Sequence, residues 1–176
     1  MKSIVVATDG SAAADRAVGA AAELAAAQGA KLTIVNVQDQ RTLSEAKEHF
    51  AEVELPKTFE GPDEDLPNEA RLAFMRLDPA DLTRMSDRHT AFMRQYLSDS
   101  ILSRASKLAT QAGAVEPQVV SATGEVAKAV LSAAETADAD LIVVGRRGLG
   151  TMAELLLGSV SQKILHKAHT NVLAVA

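Results

Sequence analysis

The sequence predicts an α/β fold: a doubly wound, five-stranded parallel sheet with helices on both faces. Two observations carry that prediction. Short β-branched apolar runs alternate along the chain with Ala-rich or amphipathic stretches of helical period. Turn residues separate the runs, and strands joined through helices imply βαβ crossovers and parallel neighbours.

The first run, Ile4–Thr8, is closed by the turn chemistry of Asp9-Gly10-Ser11. Ala12 to Gln28 is Ala-rich with Val18, Leu24 and Ala25 at helical spacing, and Gly29 stops it. Lys31–Val37 is the second strand. Pro117–Ser121 is a weaker third, since only Val119-Val120 fills it. Glu125–Ala137 carries Val126, Ala129, Val130 and Ala133 on one helical face. Leu141–Gly145 is the fourth strand, Ser159–Ala168 a helix, and Val172–Val175 the fifth strand.

Between the second and third strands the rhythm breaks. The segment from Gln38 to Asn68 has nine acids and three bases, and so holds the chain's negative charge. Pro56, Pro62 and Pro67 argue for loop between Leu55 and Asn68. Asp78-Pro79 reads as an N-cap followed by proline at the first helical position. From there Leu82, Met85, His89, Phe92, Tyr96, Ala105, Leu108 and Ala112 recur at steps of three and four, which predicts one long helix to Gly113. All five aromatics lie in this middle region: Phe50, Phe59, Phe74, Phe92 and Tyr96. The expectation is a single domain over 1–176 with an acidic helical and loop insertion at about 38–78. It would pack as a satellite cluster, or serve as a partner surface or nucleotide lid.

Composition excludes several classes. With 176 residues the chain can bury a real core, built of Ala, Val, Leu and Ile because aromatics are only 3%. A net charge of −5 argues against broad nucleic-acid binding or an anionic membrane surface. Without cysteine there are neither disulfides nor thiolate metal sites. No apolar stretch is long enough to span a membrane, and the opening residues lack a signal-peptide apolar region. A cytoplasmic protein is expected.

The chemistry concentrates in Gly145-Arg146-Arg147-Gly148, nine further residues, and then Gly158-Ser159. This loop follows a buried strand and precedes the helix opened by Ser159-Val160-Ser161. Glycines let backbone approach an anion, and unpaired N–H groups of a first helical turn point at it. Arg146 and Arg147 are natural phosphate partners. No Gly-Lys-Ser/Thr follows, so this is not the nucleoside-triphosphatase P-loop. Asp9 lies at the carboxyl end of the first strand, and a carboxylate there suits a ribose diol. Plainer roles remain open: Asp9 as a turn residue or N-cap, the glycines as strand ends, the arginines as solvated loop side chains. His166 and His169 lack an obvious third partner for a metal. No histidine stands ready to complete a triad with Ser11 and Asp15, so no catalytic residues are assigned.

At these residues the chain resembles the universal stress protein family, in its ATP-binding branch. Gly145, Gly148, Gly158 and Ser159 match the family's Gly-x2-Gly-x9-Gly-Ser/Thr motif, and Ile4 through Thr8-Asp9-Gly10-Ser11 resembles its first strand and turn. The resemblance covers residues 1–37 and about 89–176. It implies the strand order 3-2-1-4-5, which makes Asp9 and Gly145 neighbours. It further implies that Asp9 touches the ribose, that the backbone at Val37 meets adenine, and that the glycine loop with Ser159 holds the phosphates, assisted by Ser161. The ligand would be ATP or another adenine nucleotide, with Mg²⁺ or Mn²⁺ bridging phosphates and few or no dedicated protein ligands. A homodimer through Val172–Val175 is implied as well. Thr170-Asn171-Val172 departs from the many members that have proline before the valine.

The function expected is therefore a dimeric, nucleotide-dependent regulator of stress physiology that acts on a protein partner. Its rivals are a slow ATPase or self-phosphorylating enzyme, and a nucleotide-free interaction module working through the acidic insertion. The first would need a general base over the γ-phosphate, and the sequence offers none.

Overall fold

The computed structural model describes residues 1–39, 87–146 and 157–176, with side chains from 94 onward in the middle stretch. The chain divides into two units, Met1–Gln40 with Gln95–Ala176, and Arg41–Arg94. The first unit holds the sheet. In chain order the described elements are β1 (Ser3–Ala7), α1 (Ala12–Gln28), β2 (Lys31–Gln38), α2 (Asp87–Gln111), β3 (Gln118–Thr123), α3 (Val126–Thr136), β4 (Leu141–Gly145), α4 (Ser159–Lys167) and β5 (Asn171–Val175). All four strand pairings are parallel and the order is β3-β2-β1-β4-β5, as the resemblance implied. The acidic insertion beyond Asp39, the Pro-rich loop and the Asp78-Pro79 helix start lie outside the described residues.

The period-two alternation of the strands sorts two cores onto opposite faces. Ile4, Val6, Leu32, Ile34, Leu141 and Val143 pack against α1 and against Leu102, Ala105 and Ala109 of α2. Val5, Val35, Ile142 and Val144 pack against Ala127, Val130 and Ala134 of α3 and Ile164 of α4. β1 and β4 are buried on both faces, so each of their Val and Ile side chains contributes about 1.5–3 kcal/mol.

Local chemistry sets the ends of these elements. Ser11 caps α1, its Oγ accepting from Ala14 N at 3.2 Å, and Gly29 closes the helix in the left-handed region. α1 presents Ala14, Ala17, Ala21, Ala22 and Ala25 to the interior with Val18. Small side chains let its backbone lie close to the sheet. β3 starts one residue later and ends two later than its apolar content predicts. Its ladder with β2 runs from Thr33↔Gln118 to Gln38↔Thr123, so backbone pairing rather than side-chain character extends it. No proline precedes β5 in Thr170-Asn171-Val172. Thr170 Oγ1 donates to the Ala139 carbonyl at 2.9 Å, and Asn171 Nδ2 to the Asp140 carbonyl at 3.2 Å, which fixes the start of the strand beside β4.

At the amino edge of the sheet one carboxylate ties two strands. Asp140 Oδ2 accepts from the backbone N–H of Lys2 and, at 3.1 Å, from that of Ser3. These donors, Lys2 first, hold the Asp140 carboxyl below its ordinary value of 3.8. A depressed pKa gives stability that is present above the ordinary value and lost as pH falls through the lower, folded one. Asp140→Ala should therefore lower the urea midpoint at neutral pH, and its difference from wild type should shrink below about pH 3.8. A difference that stays constant across that range would contradict the assignment.

Candidate functional site

In an open α/β sheet the crevice lies at the carboxyl ends of the strands where the winding reverses. Here the chain goes from β1 to β2 and β3 on one side, then crosses to β4 and β5 on the other. The reversal is at β1 and β4. The registers Ala7↔Val35 and Val6↔Val143, extended along the strands, bring Val37, Asp9 and Arg146 to one level across three neighbouring strand ends.

The turn after β1 is tightly specified. Thr8 is buried and continues the ladder, its N–H donating to the Val35 carbonyl at 2.9 Å. Its Oγ1 accepts from Gly10 N at 3.2 Å, and Asp9 Oδ1 accepts from Ser11 N at 3.0 Å. Asp9 thus shapes its own turn, while Ser11 rather than Asp9 caps α1. Gly10 stands at φ +81°, in the left-handed region, and a Cβ there would lie 3.2 Å from Ile101 Cγ1 of α2. The backbone conformation favours glycine, and a side chain would in addition press on Ile101.

On the other side of the crevice, Gly145 ends β4 and Gly158 caps α4. Gly145 makes no tight turn; its role is close packing. A Cβ on it would meet the backbone of Ala13 and Ala14 at 3.0–3.1 Å, so the missing side chain admits the first turn of α1. Gly158 N donates to the Arg146 carbonyl at 2.8 Å, joining the two ends of the loop, and Arg146 N donates to the Val175 carbonyl at 2.6 Å. With glycine at the cap, α4 receives no side-chain cap hydrogen bond, so the first-turn amides of Ser159, Val160 and Ser161 keep their donor capacity. Ser159 is exposed and Val160 half-buried.

Ser161 is different: it is buried, and its Oγ donates to the Gly145 carbonyl at 2.7 Å, so its proton ties α4 to β4. Arg146 carries a buried Nε with no hydrogen-bond partner among the described residues, a donor that an anion would satisfy. Arg147 and Gly148 lie outside the described residues. Val37 is half-buried near the end of β2, paired with Ala122 of β3.

Sequence reading missed two residues of this region. Asn36, buried in β2, donates from Nδ2 to the Thr8 carbonyl at 2.8 Å and so clamps the backbone just before Asp9. Its signal was a lone polar amide inside the run Leu32-Thr33-Ile34-Val35-Asn36-Val37. Arg104 of α2 reaches Gly10 and Asp15, and nothing in the helical pattern marks it.

A family model described as the universal stress protein family matches residues 1–176. The chain belongs to that family. A Staphylococcus saprophyticus protein assigned to the same family is 30% identical over 177 residues, covering 99% of this chain and 83% of its own. A universal stress protein of Thermus aquaticus is 42% identical over 78 residues, 42% of this chain and 57% of that one. Among solved structures, a universal stress protein in complex with cAMP superposes with a TM-score of 0.61 at 28% identity, over 99% of this chain and 97% of that one. One from Archaeoglobus fulgidus in complex with dAMP gives 0.57 at 19% identity, covering 100% and 98%, a likeness of fold. This universal stress protein accordingly has the sheet order and paired helical layers of its relatives.

Proposed function

We propose that this universal stress protein binds an adenine nucleotide, ATP in particular, and passes its nucleotide state to a protein partner. The carrying observation is the convergence at one switch point of the Asp9 turn, the side-chain-free cap of α4 and the Arg146 Nε, which has no partner among the described residues. The chemistry is complementary to a nucleotide. Asp9 accepts from the ribose hydroxyls, and backbone at Val37 meets the base. Amides of Ser159 and Val160, with Arg146 and the loop of Arg147, Gly148 and Gly158, hold phosphate. Mg²⁺ or Mn²⁺ would bridge the phosphates. Ser161 and Gly145 act one step back, joining α4 to β4 so that the loop ends stay in place. The cAMP complex of a relative supports an adenine ligand.

Association through β5 belongs to the same proposal. β5 is an edge strand whose Leu173 is 37% exposed, and a second copy pairing there would cover it. Native mass spectrometry of freshly purified protein tests both parts. The expected spectrum is a dimer carrying about one adenine nucleotide per chain, or taking up added ATP. Protein that is consistently empty and ignores ATP overturns the nucleotide reading, and a monomer at all concentrations overturns the dimer.

A further inference from the structure

We infer that Arg104 is a positioning residue of the nucleotide site, latching the Asp9–Ser11 turn to α2. This rests on the nucleotide reading above and assigns to that site a residue well separated from its loops in sequence. One guanidinium nitrogen, Nη2, donates to the Gly10 carbonyl at 2.5 Å and to Asp15 Oδ1 at 3.2 Å. Gly10 follows Asp9 directly, and Asp15 lies in the first turn of α1, its N–H bonded to the Ser11 carbonyl at 2.9 Å. The arginine therefore bridges both ends of the turn that aims Asp9. Ile101, one helical turn earlier on α2, abuts the same turn at Gly10.

Surface ion pairs contribute little to stability, and this one has side chains 47% and 31% exposed. Its value lies elsewhere, in geometry and local charge. Asp9 and Asp15 place two carboxylates beside a site meant for an anion. Burial foremost, and then the neighbouring Asp9, push the Asp15 carboxyl above its ordinary value, while the Arg104 guanidinium pulls it down. Arg104 thus offsets like charge at the turn while fixing the carbonyl that follows Asp9.

Calorimetric titration of ATP and of adenosine into wild type, Arg104→Ala and Arg104→Lys tests the latch. Adenosine carries the ribose but no phosphate, so it isolates the aim of Asp9 from the charge around it. Arg104→Ala should weaken both ligands, ATP by about tenfold, the size of one charge-assisted hydrogen bond. Arg104→Lys should recover part of that loss, since an ammonium keeps the charge but not the planar fork. If Arg104→Ala fails to fold, Arg104→Lys alone decides: an affinity between about twofold and tenfold below wild type supports the latch. An alanine variant that binds both ligands within about twofold of wild type, whatever its thermal stability, overturns it. Wild type that binds neither ligand overturns the nucleotide reading itself, and the latch with it.

Discussion

Gly145→Val should cost about 3 kcal/mol of folding stability, at the upper end of what overpacking exacts. The atoms a Cβ would strike are the carbonyl carbon and oxygen of Ala13 and the amide nitrogen of Ala14, at 3.0–3.1 Å. These are helix backbone and cannot rotate aside as a side-chain tip can. β4 sits between β1 and β5, so the strand cannot retreat either. Gly145→Ala adds only the Cβ and should cost about 1–2 kcal/mol. Urea unfolding would register both as lower midpoints at unchanged slope. Because α1 begins at the Asp9–Ser11 turn, the alanine variant should also bind ATP more weakly. An alanine variant as stable as wild type would refute the close-packing role.

Asp9→Ala should lower ATP affinity by about 100-fold. A carboxylate accepting from two ribose hydroxyls makes charge-assisted hydrogen bonds, and about 3 kcal/mol for the pair corresponds to that factor. The fold should survive. Asp9 Oδ1 accepts the backbone N–H of Ser11 at 3.0 Å, and Ser11 sits half-buried, where water can replace that acceptor. Far-UV circular dichroism and the urea midpoint should stay close to wild type while calorimetry shows the loss. Asp9→Asn keeps an acceptor without the charge and should fall between the two. Retention of wild-type affinity by Asp9→Ala would remove Asp9 from the site.

The helix caps and strand cores of this chain were legible because they rest on local chemistry. Gly29 closes α1 where C-cap preference places it, although the N-cap is Ser11 and not Asp9, and Leu141–Gly145 is a strand because a run buried on both faces has little else to become. Strand order was not legible from pattern, since periodicity says which face a residue takes but not which strand lies beside it; it came from family resemblance. Gly145 shows the limit more sharply. A glycine after a buried strand reads as a turn, and only the approach of α1 from elsewhere in the chain reveals that it is a packing residue.

Long-range hydrogen bonds were equally hidden. The resemblance implies that Ser161 assists at the phosphates, and nothing in the sequence shows that its hydroxyl donates to the Gly145 carbonyl. Nothing in the helical pattern marks Arg104, whose partners lie 94 and 89 positions away. Asn36 was detectable in principle as an amide in an apolar strand, though its partner at Thr8 was not.

The most direct measurement is a crystal structure of the protein grown with ATP and Mg²⁺. The expected result is one nucleotide at the switch point, its ribose hydroxyls on Asp9 and its phosphates against the first turn of α4 and Arg146. Nucleotide bound elsewhere, or a crevice that stays empty at saturating ATP, would contradict the central claim.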